Sequence, residues 1–337
     1  MKEQIRCAVL GLGRLGYWHA ENLASKVKGA KLVYVGDPFG DLAERTAREL
    51  GIEKFATDAN RVLEDPSIDA VIIATPTHTH AEMLEKAAQH GKHIFIEKPL
   101  TQSLAEADRA IAAVRKHRVS CQVGFMRRFD GAYAEAKRRI QAGDIGTPLY
   151  FKGVSRDPGS PPEAFIKNSG GIFLDMSIHD YDIARFLLSA EATSVSAHGN
   201  VLVHSFMEAY GDADQAIAYL SFDSGAAADI EASRNAFYGY DIRGEVIGSE
   251  GSLLIGSLRH HDVQLLTRNG STHDIVPAFP QRFKDAYLNE ICHFIDCLRR
   301  GEAPSVNEQD GKIALEIALA ARESYETGQR IALPGYA

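Results

Sequence analysis

Long apolar runs are missing from this 337-residue chain: none exceeds five residues, against the roughly 20 that a membrane-spanning helix needs. Cysteine is scarce. Cys7, Cys121, Cys292 and Cys297 form no C-x-x-C pair, which excludes a disulfide scaffold and argues against a cysteine zinc or redox centre. Cys7 and Cys121 sit in apolar, strand-like settings that suit small buried hydrophobes. Positive charge is also short: 37 Lys and Arg against 45 Asp and Glu leave a net charge of −8. An evenly acidic chain repels phosphate backbones, so nucleic acid is not the expected partner. The N-terminal stretch MKEQIRCAVLGLG lacks the apolar core of a secretory signal, and a cytoplasmic location is expected. Internal repeats and low-complexity linkers are absent too.

What is present is the composition of a globular protein, 45% hydrophobic and 24% charged, and a length that suits two domains of roughly 150 residues each. The first third alternates short apolar runs with amphipathic stretches. Strands are predicted at Ile5–Leu10, Lys31–Val35, Ala70–Ala74, His93–Glu97 and Ser120–Phe125; helices at Arg14–Val27, Asp41–Leu50, Ala81–His90 and Leu104–His117. Regular alternation implies a doubly wound parallel sheet covered on both faces, an α/β Rossmann domain. After about residue 123 the rhythm changes. A helix at Gly131–Ala142, a strand at Pro148–Arg156 and a helix at Ile178–Leu188 precede several strand-like segments between Thr193 and Ile275. Turn residues (Asp223-Ser224-Gly225, Ser249-Glu250-Gly251, Arg268-Asn269-Gly270) break that meander, as in a largely antiparallel sheet. Helices at Phe283–Arg300 and Glu308–Thr327 close the chain. The expected domains are residues 1–123 and residues 124–337.

Gly11-Leu12-Gly13-Arg14-Leu15-Gly16 follows a buried strand and opens a helix. In that context Gly11 permits the tight turn, Gly13 lets backbone approach a pyrophosphate, and Gly16 lets helix pack on strand. The helix N-terminus then offers N–H groups and a positive dipole end to phosphates. Asp37 ends the second strand, where an acid accepts from ribose hydroxyls and repels a 2′-phosphate; Pro38 and Phe39 follow instead of a base, so NAD is the expected cofactor. As a plain turn acid, Asp37 would need no ligand. Thr75-Pro76-Thr77-His78-Thr79-His80 follows the third buried strand, so Thr75, Pro76 and His80 are expected near the cofactor, with helix capping or solvent exposure open to both histidines.

Two further segments carry chemistry. Glu97-Lys98-Pro99 ends a buried strand with two charges, and a lysine there could hold or exchange a substrate proton; an ordinary Glu97–Lys98 ion pair is the bland alternative. In Asp175-Met176-Ser177-Ile178-His179, acid and imidazole share one face if helix begins near Asp175, and the acid would hold the histidine as general base. Two other roles stay open: Asp175 as a helix cap, and Asp175, His179 and Asp182 as metal ligands. No metal is expected, since a nicotinamide can accept the hydride.

With these motifs the chain resembles the glucose–fructose oxidoreductase/inositol dehydrogenase/rhizopine-catabolism family over nearly its whole length. Gln122-Val123-Gly124-Phe125-Met126-Arg127-Arg128-Phe129-Asp130, Tyr238-Gly239-Tyr240-Asp241-Ile242, and Gln281-Arg282-Phe283 with Ala286-Tyr287 point to its inositol-dehydrogenase branch. The resemblance implies a C-terminal α+β domain with an open, mostly antiparallel sheet, assembly as a homotetramer, and Lys98, Asp175 and His179 as the catalytic set. It places Glu97 and Lys98 at the cofactor, and Arg127, Asp157 and Tyr238 beside Lys98, Asp175 and His179 in a polyol pocket. The implied reaction is NAD-dependent oxidation of myo-inositol to 2-keto-myo-inositol. Two departures, the proline-rich loop Ser155–Pro162 and Phe129 in place of a tyrosine, keep scyllo-inositol or a pyranose sugar as alternative substrates. A non-catalytic NAD-binding sensor is the alternative from another class.

Overall fold

A computed structural model of the chain describes residues 3–334; the two ends of the expected domain ranges, residues 1–2 and 335–337, lie outside them. The chain forms two compact units. The first is built from β1 (Ile5–Leu10), α1 (Arg14–Ser25), β2 (Ala30–Gly36), α2 (Gly40–Leu50), β3 (Lys54–Ala56), α3 (Ala59–Glu64), β4 (Ala70–Ile73), α4 (His80–Gln89), β5 (His93–Glu97), α5 (Leu104–His117) and β6 (Cys121–Gly124). All neighbouring strands pair in parallel, in the order β3-β2-β1-β4-β5-β6. β4 is buried at every residue, as a strand covered on both faces requires. The order reverses between β1 and β4, so the loops after those two strands flank the point where ligands of open α/β sheets bind.

The second unit contains α6 (Gly131–Ala142), β7 (Pro148–Arg156), α7 (Glu163–Ser169), α8 (Ile172–Asp175), α9 (Ile178–Leu188), β8 (Ala192–Asn200), β9 (Gln215–Phe222), β10 (Ala227–Ser233), β11 (Asp241–Gly248), β12 (Ser252–Ile255) and the hairpin β13 (Leu265–Thr267) and β14 (Gly270–Thr272). Then come α10 (Phe279–Arg300), α11 (Glu308–Thr327) and β15 (Ile331–Ala332). Seven strands run in the order β12-β11-β7-β10-β9-β8-β15. Every pair is antiparallel except β7 with β10. The sheet is therefore open, mixed and mostly antiparallel. α9 covers one face, its Asp180 bonding Ser155 of β7, while Lys152 and Arg156 point to the other.

The chain passes between the units three times rather than once. Met1–Met126 and Asp285–Leu315 make the first unit; Arg127–Lys284 and Glu316–Ala337 make the second. The α10 segment returns because Ile291, Phe294 and Ile295 complete the first core against Phe95 and its neighbours. A change of strand rhythm near residue 123 cannot reveal such a return. Among the described residues no helix is long and apolar enough to cross a membrane.

Candidate active site

The glycine-rich turn has the shape its spacing demands. Gly11 adopts φ +84, and a Cβ there would lie 2.6 Å from the Ala74 carbonyl oxygen. A Cβ on Gly16 would meet the Gly11 carbonyl oxygen at 1.8 Å, so only glycine lets α1 approach this strand end. Gly13 faces open space, with no atom within 4 Å of its Cβ position. No side chain caps α1 and its first turn holds no acid, so this helix end is open to an anionic group. These features fit a dinucleotide phosphate. Arg14 is exposed, Leu15 half-buried and Leu12 buried at the same turn.

Asp37 is buried at the end of β2 and already has two backbone partners: its Oδ2 accepts from Leu12 N–H at 2.8 Å and its Oδ1 from Phe39 N–H at 2.9 Å. It thus serves as a turn acid, tying β2 to the glycine loop. A carboxylate has about four acceptor sites, so capacity remains for ribose hydroxyls.

After β4, Thr75 and Thr79 join hydroxyls at 2.7 Å, and Pro76 and His78 are exposed. His80 is buried. Its Nδ1 lies 2.8 Å from the Pro99 carbonyl oxygen and its Nε2 2.9 Å from that of Thr75, bracing the loop after β4 against the loop after β5. Burial holds its pKa below the ordinary value, although the two carbonyls favour the protonated ring. Glu97, buried at the end of β5, turns inward to His19 on α1, with Oε1 and Nε2 2.7 Å apart. Lys98 follows, half-buried, with a cis bond to Pro99.

In the second unit, helix does not begin near Asp175. α8 ends there, Met176 and Ser177 intervene, and α9 starts at Ile178. Asp175 and His179 therefore do not share one continuous helical face, and Asp175 does not cap α9. Gly171, at φ +85, opens α8, whose Ile172 N–H is taken by Asp212 at 2.8 Å. That short turn presents Asp175 to Arg234, 3.3 Å from its Oδ2 and fully buried on the segment after β10. His179 lies buried in the first turn of α9.

The two acids beyond His179 hold the arginine pair. Asp180 takes Arg127 at 2.7 Å and the Ser155 hydroxyl at 2.6 Å, and Asp182 takes Arg128 with both oxygens. Burial raises the Asp180 carboxyl pKa above the ordinary value despite Arg127. Asp182 is thereby committed to a guanidinium, which disfavours the metal alternative. Arg127 is buried with Nη1 on Asp180 and Nη2 on Ser155. Buried Tyr240 stands edge-on to Phe283 at 6.3 Å, and the Arg127 and Arg282 guanidinium groups lie over that same ring. Tyr238, the expected pocket residue, turns instead to Asp241, its hydroxyl donating to Oδ2 at 2.7 Å and accepting from Arg156 at 3.1 Å. Asp157 is anchored through backbone bonds to Ser233 and Ala236. Sequence reasoning gave Asp180 and Arg234 no role, and named Tyr240 only within a motif and Asp182 only as a metal ligand. The doublets Arg127-Arg128 and Asp180-x-Asp182 were the only signal, and charge complementarity alone assigns no partners.

Comparison with known proteins agrees with this architecture. Residues 5–125 match the model of an oxidoreductase family's NAD-binding Rossmann fold. Residues 137–333 match the C-terminal alpha/beta domain of the same family. The chain is 60% identical over 333 residues to the scyllo-inositol 2-dehydrogenase (NAD(+)) of Bacillus subtilis, covering 99% of this chain and 97% of that protein. It is 41% identical to the myo-inositol 2-dehydrogenase of Thermotoga maritima, with 98% of each covered. Among solved structures, scyllo-inositol dehydrogenase from Lactobacillus casei with bound NAD(H) and scyllo-inositol superimposes with a TM-score of 0.93 at 32% identity. That match covers 98% of this chain and 99% of the other.

Proposed function

The chain belongs to the Gfo/Idh/MocA oxidoreductase family, and from that premise we propose that it oxidises one ring hydroxyl of an inositol with NAD, scyllo-inositol being the favoured epimer. The observation that carries the epimer is the higher identity to the relative named for scyllo-inositol than to the one named for myo-inositol. Phe129 and the loop Ser155–Pro162 leave room for an epimer other than myo-inositol or for a related sugar. Myo-inositol, first in the reading from sequence alone, becomes the second reading.

The alcohol carbon loses a hydride and its oxygen a proton, giving a ketone, NADH and H⁺; NAD, when bound, supplies the hydride acceptor. Gly13 and the α1 N-terminus would hold its phosphates in the turn that Gly11 and Gly16 shape, and Asp37 would take ribose hydroxyls. His179 accepts the hydroxyl proton, Asp175 orients and charges the imidazole, and Lys98 holds the reacting hydroxyl. Arg234 fixes one oxygen of Asp175. A ring of hydroxyls needs several fixed donors and acceptors to set its orientation, and the Arg127, Asp157 and Tyr240 cluster supplies them.

The test measures NADH formation with scyllo-, myo- and D-chiro-inositol, glucose and xylose, using NAD and NADP in parallel. Both scyllo- and myo-inositol give the same ketone on oxidation at C2, so the reverse reaction is the sharper readout. Reduction of 2-keto-myo-inositol with NADH should yield mainly scyllo-inositol. Mainly myo-inositol would favour the second reading. Silence on every inositol with NAD still bound would point to the sensor.

We also infer that the sheet face opposite α9 pairs two copies within the homotetramer. Strand register lines up Ile217 of β9 with Glu231 and Val154, and Tyr219 with Asp229, Lys152, Glu245 and Leu254 of β12. Ile217, Tyr219, Ile247 and Leu254 are exposed there, apolar residues on an otherwise charged face. Light scattering should give a tetramer mass that falls on Tyr219→Glu. A monomeric wild type would sink the inference.

A further inference from the structure

One buried polar cluster in the first unit has no part in the roles assigned above. Glu97 Oε1 lies 2.7 Å from His19 Nε2, and Glu290 of α10 brings a second carboxyl group to the same place. One ligand-capable atom from each of the three residues lies within 4.8 Å of the others. His19 and Glu290 are 0% exposed and Glu97 6%. Neither oxygen of Glu290 has a hydrogen-bond partner among the described residues.

The surroundings are aromatic. His19 stands edge-on to Phe95 at 5.2 Å and to Tyr287 at 6.1 Å, and Phe95 edge-on to Phe294 at 6.0 Å. The backbone is shaped to admit the acid. A Cβ on Gly124 of β6 would lie 2.9 Å from Glu97 Oε2, so a larger residue there would push the carboxylate away. The Gln122 side-chain N–H₂ donates to the Glu290 carbonyl at 2.8 Å, which anchors α10 on β6 beside the cluster.

Two carboxylates this close in an apolar enclosure cannot both stay ionised. Glu97 has a His19 ring nitrogen 2.7 Å from its Oε1, whereas Glu290 has only burial and the Glu97 charge acting on it. Burial, and then the Glu97 charge, push the Glu290 carboxyl well above the ordinary carboxylate range. We propose that Glu290 is a positioning residue: neutral and packed against His19 and Glu97, it helps hold the Glu97 side chain and so fixes the strand end from which Lys98 departs. This rests on the reading of Lys98 as a catalytic residue. The cluster is built from three elements, α1, β5 and α10, so one strand end is set by two helices distant in sequence.

The proton is tested without reference to activity. Difference infrared spectra of wild type minus Glu290→Gln at neutral pH should show the carbonyl stretch of a protonated carboxyl group. No such band overturns the proposal, and so does stoichiometric zinc or manganese in the purified protein that is lost in Glu290→Gln, because a metal-bound Glu290 is ionised. For the positioning role, Glu290→Leu should lower kcat by about tenfold to a hundredfold while KM for NAD changes by less than about threefold. Glu290→Gln keeps a neutral side chain of the same shape and should restore most of that loss, with the wild-type pH profile of kcat. A profile whose alkaline limb moves to lower pH in Glu290→Gln would mean that a negative charge had been removed beside Lys98, and would overturn the proposal. Wild-type kcat in Glu290→Leu would overturn the positioning role. Should Lys98→Ala keep full turnover, the catalytic reading of Lys98 fails, while the infrared band still reports the Glu290 proton.

Discussion

Replacing His179 by Ala is expected to lower turnover by ~10²–10⁴-fold, the usual contribution of a positioned general base. At about 1.4 kcal/mol per factor of ten, that is roughly 3–5 kcal/mol of transition-state stabilisation. The residue sits in the first turn of α9, whose next acids, Asp180 and Asp182, are committed to Arg127 and Arg128 and so do not compete for the role. NAD affinity should persist, because the glycine turn belongs to the other unit. Since α9 is almost wholly buried, His179→Gln provides the control: it keeps side-chain volume and a polar end but cannot cycle a proton at neutral pH. Thermal melting should separate lost chemistry from lost fold. If both variants turn over at near wild-type rates, the base is not His179 and Lys98 becomes the candidate.

The other large effect is expected at Gly16. An alanine Cβ would sit 1.8 Å from the Gly11 carbonyl oxygen, a backbone atom that cannot rotate aside. Overpacking a close contact typically costs about 1–3 kcal/mol, and a backbone contact belongs at or above the upper end. Gly16→Ala should therefore lower the melting temperature and abolish measurable NAD binding together. Gly13→Ala is the informative partner. Its φ of −59 suits any residue, and nothing lies within 4 Å of the new methyl group. The fold should tolerate it, yet the methyl group would occupy the ground through which a pyrophosphate approaches. Gly13→Ala should keep the wild-type melting temperature and still weaken NAD binding, detectable by calorimetry. Equal NAD affinity in Gly13→Ala and wild type would contradict the placement of the phosphates.

Local pattern carried much of the architecture. Ile5–Leu10 and His93–Glu97 are strands to the residue, and Leu104–His117, Gly131–Ala142 and Ile178–Leu188 helices to the residue, because continuous apolar runs and helical periodicity are written within a few turns of chain. The three-residue β3 and six-residue α3 are too short to show a period and escaped notice. The glycine spacing was legible for a different reason: Gly16 answers the Gly11 carbonyl within one strand–turn–helix unit, while Gly11 answers Ala74 and Gly13 faces open space.

Pairings between distant segments were not legible. That Asp285–Leu315 completes the first core, that β7 lies parallel to β10, and that Tyr238 pairs with Asp241 and Arg156 all depend on which surfaces meet. The break between α8 and α9 was hidden as well, since no strong local breaker stands at Met176-Ser177. The sequence by itself determined the element types, the dinucleotide turn and the family, because those follow from propensity and short-range sterics. Only the tertiary structure decided the partner of each buried charge, such as His19 for Glu97. A charge in a low-dielectric interior is set by whatever lies within a few ångströms, and chain separation places no limit on what that is.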